Sequence, residues 1–313
     1  MPEDWLAVTL RFALYLDLMV LFGVSLFSLY ALHPTDRPSA ISRLYGRVTE
    51  ASVLAGIVLS IWDVVAMAES MTGATRYSEL TRHVFDMILT GTAVGAAWLV
   101  RVVVLAAGLV VGIAWRGNTC RQRAGFAASG AIALATLAWA GHGAMDDGAR
   151  GMFHLAADIA HLLAAGMWVG ALVAFVLLSS AVQASTPDSV QTLSRAASGF
   201  ETIGTCIVGM LVATGVVNYV FVAGPTFDPL FTMPYGWFLL GKLTLFALML
   251  ALAAGNRYRL SPRLAAAIRT GDYTGDCTGA IKTLRTSLLA EACLAVLILA
   301  LVAWLGMLSP LPS

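Results

Sequence analysis

The chain is short of charge, of cysteine and of polar linkers, and each shortage closes off a class of protein. Only 12% of its 313 residues are charged, against 59% that are hydrophobic. Soluble domains carry about 25% charged and roughly 45–50% apolar residues, so a freely soluble globule is excluded. The 4 cysteines (Cys120, Cys206, Cys277 and Cys293) stand apart with no CxxC spacing. That scatter argues against a disulfide framework and against a thiolate zinc site, and Cys206 and Cys293 are expected to be ordinary apolar packing residues. A net charge of +1 gives no pointer to nucleic acid or to an acidic partner, and no nucleic-acid partner is expected. There is no GxxxxGK[ST] loop and no DKTG-like phosphorylation site, so direct coupling to a nucleotide is not expected; no enzymatic activity is expected either, the haem redox alternative below aside. The opening MPEDWLAVTL has neither a basic n-region nor a small-residue cleavage site and reads as the start of a retained helix.

What the chain does have is a succession of long apolar runs. Stretches such as VVVLAAGLVVGIAW and LLAEACLAVLILALVAWLGML are of the length a helix needs to cross a bilayer. They do not alternate in polarity as barrel strands must, and backbone groups in lipid must be bonded internally. The fold class is therefore all-α: a polytopic membrane protein with eight transmembrane helices. The spans are expected at residues 6–32, 44–70, 86–115, 124–144, 152–182, 197–223, 235–258 and 284–308. No link is long enough to divide them, so residues 1–313 read as a single transmembrane domain, with a short surface helix around SPRLAAAIR. Basic residues in the links fall 13 on one side and 3 on the other, which puts both termini on the non-cytoplasmic, periplasmic side of a bacterial inner membrane. The third and seventh spans each read as a Trp, then a basic residue, then leucine-rich helix (Trp98 with Arg101, Trp237 with Lys242). With Glu50 and Glu201 opening the second and sixth, this suggests a parallel 4+4 helix repeat. Trp5, Trp237 and Trp304 fit an interfacial belt.

Ionisable groups cost about 2.5–3.5 kcal/mol each at the centre of a spanning helix, so each needs a partner or a cavity. Asp17, Asp63, His142, His154, Asp158, His161, Asn218 and Lys242 all fall in the non-cytoplasmic half of their spans, with Arg101 at the boundary. Arg101 with Asp63 or Asp17 fits a structural ion pair as well as a transport role. The segment HGAMDDGARGMFHLAADIAH holds three of the 5 histidines. His154, Asp158 and His161 are spaced i, i+4, i+7, which aligns them on one helical stripe. His142 ends the preceding span at a similar depth, across the short turn 143–151. Such histidines suit a metal, with Asp158 fixing an imidazole tautomer. Met145 and Met152 add thioethers that favour Cu(I). Asp146 and Asp147 read as a solvated turn, and His33 and His83 as loop residues without a role. An alternative use of paired histidines is axial ligation of haem b in a membrane redox protein, with Arg101 and Lys242 near the propionates.

The stretch AGHGAMDDGARGMFHLAADIAHLLAAGMWVGALVAF resembles the central signature of the copper resistance protein D family of bacterial inner-membrane proteins. GAAWLVR, FETIGTCIVGMLVATGVVNY, YGWFLLGKLTLFALMLALAAGNR and LRTSLLAEACLAVLILALVAWLGMLSP extend the resemblance over nearly the whole chain. It implies copper handling, generally inward movement, and work with a periplasmic copper-binding partner, here a separate chain. It maps the family's histidine motifs onto His142, His154 and His161. On that expectation copper binds there, with help from Met145 and Met152, and passes Asp63, Asp17, Arg101, Lys242 and Asn218. A membrane anchor or sensor for a periplasmic copper chaperone is a further reading.

Overall fold

The computed structural model describes residues 5–32, 40–73, 80–116, 119–141, 148–182, 187–226, 228, 231, 234–270 and 275–306. Every regular element among them is helical. In chain order these are α1 (Trp5–Tyr30), α2 (Ala40–Thr72), α3 (Arg82–Gly91), α4 (Ala93–Ala114) and α5 (Thr119–Ala135), which tightens into a 3₁₀ turn at Thr136–Ala140. Then come α6 (Gly148–Ala181), α7 (Pro187–Ala223), α8 (Pro234–Gly255), α9 (Ser261–Thr270) and α10 (Asp276–Leu305), with a π turn at Asn256–Leu260 joining α8 to α9. Eight of these stretches are long and apolar enough to span a bilayer, and each falls on one of the eight expected spans. The surface helix expected around SPRLAAAIR is α9.

The third span is shorter than the hydrophobic run implies. The chain bends to extended backbone at Thr92 (φ −130°, ψ 148°), whose hydroxyl accepts from the Gly95 amide and so caps α4. An N-cap of this kind satisfies one of the amides a helix start leaves unpaired. The preceding α3 is only 10 residues long, too short to cross. It carries His83, expected in a loop and found instead on this exposed helix. Gly73 and Gly224 end α2 and α7 in the left-handed region (φ 67° and 84°), each donating its amide back to a carbonyl four residues earlier. A glycine at that position carries no Cβ penalty.

At the centre, α1 packs against α2, α5, α6 and α10. Glycine makes that possible. A Cβ on Gly170 of α6 would lie 2.2 Å from the Cα of Gly23 in α1, and one on Gly130 of α5 would lie 2.8 Å from the Phe22 amide nitrogen. In lipid there is no solvent to squeeze helices together, so close backbone approach through small residues supplies the packing energy. A continuous apolar core runs through both halves of the chain, from Leu18, Phe27 and Leu105 to Leu193, Leu264 and Leu299. Large apolar side chains also cover the outside, among them Val103, Val110, Ile113, Val216 and Leu248. Cys206 and Cys293 are exposed on this outer surface rather than packed inside. All 4 cysteines are free, and Cys277 is the buried one. The rings of Trp5 and Trp304 pack together with centroids 4.7 Å apart and planes tilted by 56°, which fixes the start of α1 and the end of α10 at the same end of the bundle.

Neighbour relations repeat between the halves, with one difference. In the first, α1 packs on α2 and α5, α4 packs on α5, and α2 packs on α4; in the second, α6 packs on α7 and α10, and α8 packs on α10. The counterpart of the α2–α4 contact is missing, because α7 and α8 touch at most marginally among the described residues. The first half is closed at this place by the Arg101–Asp63 ion pair (3.1 Å) and by the Trp98 indole donating to the Ser60 carbonyl (2.6 Å). The second half is left with a cleft.

Candidate functional site

The stripe read from α6 is matched rung by rung by a second stripe on α7. His154 stacks on Phe221 with ring centroids 4.7 Å apart and planes 22° from parallel. The Asn218 amide donates to Asp158 Oδ1 at 3.1 Å. His161 Nδ1 lies 2.9 Å from Thr214 Oγ1. The two helices run antiparallel, so 154, 158 and 161 on one meet 221, 218 and 214 on the other, both at the i, i+4, i+7 spacing of a single helical face. Helical periodicity alone builds the ladder once the two faces are turned together.

The lowest rung has defined polarity. The Thr214 hydroxyl lies 2.6 Å from the Met210 carbonyl; with its hydrogen on that carbonyl, its oxygen accepts from His161 Nδ1–H. That tautomer leaves Nε2 with its lone pair, the form in which an imidazole ligates a metal. Asp158 is expected to fix an imidazole tautomer; the group within hydrogen-bond distance of His161 Nδ1 is Thr214. Asp158 is held by Asn218 and lies within electrostatic reach of His154, Lys242 and Arg11. A Cβ on Gly141 would sit 3.2 Å from Asp158 Oδ2, which brings the end of the fourth span to the level of this carboxylate. His142, Met145, Asp146 and Asp147 lie outside the described residues. Met152, at 75% exposure, is on the surface of the same end of the bundle.

Arg11 ties that end together, donating to the carbonyls of Ala140 (2.6 Å) and Gly306 (2.9 Å). Below it, His161 and Lys242 share the wall of a cavity of about 550 Å³ between α6, α7, α8 and α10. Its other walls are apolar, including Leu211, Val216, Phe246 and Ile298. The remaining polar groups form a separate cluster in the first half. Arg101 is buried and paired with Asp63, while Asp17 lies against Ser52 and Gly56 with Oδ2 unpartnered. The structure thus joins His154, Asp158, His161, Asn218 and Lys242 around the α6–α7 face, and places Asp17, Asp63 and Arg101 between α1, α2 and α4. Among the described residues no three His, Cys, Asp or Glu side chains converge tightly enough to hold a metal alone. Thr214 and Phe221 were missed in the sequence, although their spacing about Asn218 repeats that of the α6 stripe.

Residues 1–152 match the Copper resistance protein D-like N-terminal domain, and residues 194–305 match Copper resistance protein D. The chain is 45% identical over 309 residues to Copper resistance protein D of Pseudomonas syringae pv. tomato, covering 98% of each chain. It belongs to the copper resistance protein D family. A more distant relative is the inner membrane protein YebZ of Escherichia coli strain K12, 26% identical over 261 residues, 83% of this chain and 85% of that one. No solved structure matches. For a copper resistance protein D family member the α6–α7 ladder has particular interest, because the two matched regions flank most of α6 and the 45% identical relative spans it.

Proposed function

We propose that this member of the copper resistance protein D family carries copper across the bacterial inner membrane, taking it at the end of the bundle that holds both termini. The 13-to-3 distribution of basic residues supports placing that end in the periplasm, where a separate copper-binding protein would deliver the ion. His154 and His161, with His142 and the thioethers of Met145 and Met152, form the receiving site. The observation that carries the reading is His161. It is a half-buried imidazole held at Nδ1 by Thr214, and it lines a cavity between four of the spanning helices. No nucleotide motif accompanies it, which argues against direct coupling of transport to a nucleotide.

Replacing His161 with alanine is expected to lower copper uptake into proteoliposomes at least tenfold, with His142→Ala behaving alike. Uptake at the wild-type rate in either variant removes that residue from the site. A finer test addresses the tautomer. Thr214→Val keeps the volume and deletes the acceptor, and loss of an orienting partner of a metal-bound histidine costs roughly 10–100-fold in affinity. Equilibrium copper binding by Thr214→Val should weaken within that range, whereas Thr214→Ser should bind as wild type does.

The apolar cavity beside His161 also favours a second reading, haem b held by a membrane redox protein. An imidazole lining an apolar chamber with one ammonium on its wall is suited to that ligand. Purified protein with a Soret band that disappears in His161→Ala would decide for haem; colourless protein that binds copper would decide against it.

A further inference from the structure

Two cavities lie end to end in the cleft that α7 and α8 leave open. The first, of about 550 Å³, holds His161 and Lys242. The second, of about 330 Å³, lies toward the opposite end of the bundle and holds Glu201, Asn256, Arg257 and Glu291. The same four helices line both, and along each helix the two linings adjoin within a turn. Val208 of the second is followed by Leu211 of the first in α7, Leu250 is preceded by Met249 in α8, and Glu291 is followed by Ala295 in α10. Among the described residues Trp168 alone lines both cavities. Its indole is 5% exposed and braced edge-on by Phe200, with centroids 6.1 Å apart.

Beyond Trp168 the second cavity contains a buried carboxylate. Glu291 is 3% exposed, and Asn256 donates to its Oε2 at 2.9 Å. Asn256 is itself 8% exposed and keeps Oδ1 without a partner, while the Trp168 N–H lies beside the carboxylate without a hydrogen bond of normal geometry. Asn256 begins the π turn, a departure from the α-helix that frequently marks functional sites. A carboxylate within the membrane that is not neutralised by a basic partner is costly. Here the nearby cation, Arg257, is turned instead to Thr205 and Glu201. The Glu291 carboxylate and the unpartnered Asn256 Oδ1 thus belong to one cavity lining, without a salt bridge to Glu291 among the described residues.

We propose that the two cavities are consecutive chambers of one cation path through the second half of the molecule. Trp168 is the barrier between them, and Glu291 with Asn256 is a cation-binding station on the far side. The inference deepens the copper-carrier reading and rests on it for the identity of the cation. Oxygen donors of this kind suit a hard or borderline ion, so the probe is copper(II) chloride, with a parallel arm under ascorbate for copper(I), the form the thioethers of the receiving site favour; the ion that passes both sites keeps one oxidation state.

The barrier is tested without copper. In a background lacking the three exposed thiols Cys120, Cys206 and Cys293, Ala165→Cys probes the first chamber and Leu172→Cys the second. A charged thiol reagent applied to vesicles from the face bearing the termini should modify Ala165→Cys and spare Leu172→Cys. Adding Trp168→Ala should speed modification of Leu172→Cys at least tenfold, while Trp168→Phe should not. An unchanged rate in the alanine variant, or an unreactive Ala165→Cys, overturns the two-chamber path.

The station is tested in proteoliposomes supplied with copper(II) chloride. Glu291→Gln should cut flux at least tenfold while copper binding that depends on His161 persists, and Glu291→Asp should recover part of the flux. Wild-type flux in monodisperse Glu291→Gln overturns the station. If the wild-type protein itself moves no copper, the carrier reading fails, and the thiol experiment still decides whether the chambers connect.

Discussion

Gly170→Ala should be among the most damaging single-methyl additions in this protein. The new Cβ would approach the Gly23 Cα to 2.2 Å and its carbonyl carbon to 2.4 Å. Both are backbone atoms, so no side chain can swing aside, and α1 and α6 must part by more than an ångström along their crossing. Overpacking of a rigid site typically costs about 1–3 kcal/mol, occasionally more. The upper end is expected here, because α1 also carries the contacts to α2, α5 and α10. Leucine at position 170 should prevent assembly altogether. The control is Gly209→Ala in α7, where an added Cβ meets nothing within 4 Å. There the gain in helix propensity, up to about 1 kcal/mol, should leave stability unchanged or improved. Thermal midpoints in detergent, with the monodisperse fraction, measure both. Equal midpoints for the two alanine variants would contradict the close α1–α6 crossing.

The second large effect concerns the ion pair that closes the first half. Arg101 is 3% exposed, its Nη2 lies 3.1 Å from Asp63 Oδ2, and its Nε and Nη1 lack partners among the described residues. Asp63→Ala leaves a buried guanidinium with no counter-charge, and breaking such a pair typically costs about 3–5 kcal/mol. Removing both charges with Asp63→Leu and Arg101→Met should be far milder, since replacing a buried pair by apolar groups is often neutral or stabilising. The same double variant separates the two routes open to cargo. If copper travels through the α6–α7–α8–α10 cleft, flux survives the loss of both charges. If it passes Asp63 and Arg101, flux disappears although the protein stays folded. Midpoints of the two single variants and the double variant, with proteoliposome uptake, give both answers.

These experiments bear on how a duplicated arrangement can carry one function. The first half is pinned shut between α2 and α4 by Asp63–Arg101 and Trp98–Ser60. At the corresponding place the second half keeps α7 and α8 apart, and its basic residue, Lys242, lines a cavity instead of closing an ion pair. The α2–α4 contact of the first half thus has no close counterpart between α7 and α8, and the cleft lies there.

Much of this was legible in the sequence. Span number and helical class follow from the length of the apolar runs, because lipid permits few backbone solutions. The i, i+4, i+7 placement of His154, Asp158 and His161 follows from 3.6 residues per turn, so their shared face was fixed before any tertiary contact. What the stripe would face was not. In lipid an apolar surface gives no signal of which side is inside, since tails and neighbouring helices are equally apolar. Cys206 and Cys293, expected in packing positions, lie on the outer surface for that reason. Only the packing of all eight spanning helices turned α7 so that Thr214, Asn218 and Phe221 meet the stripe, separated Arg101 and Asp63 from Lys242, and set Trp168 between two cavities. Local periodicity determined which residues share a face; the rotation of each helix about its own axis, decided by glycine crossings and buried polar pairs far away in sequence, determined what each face meets.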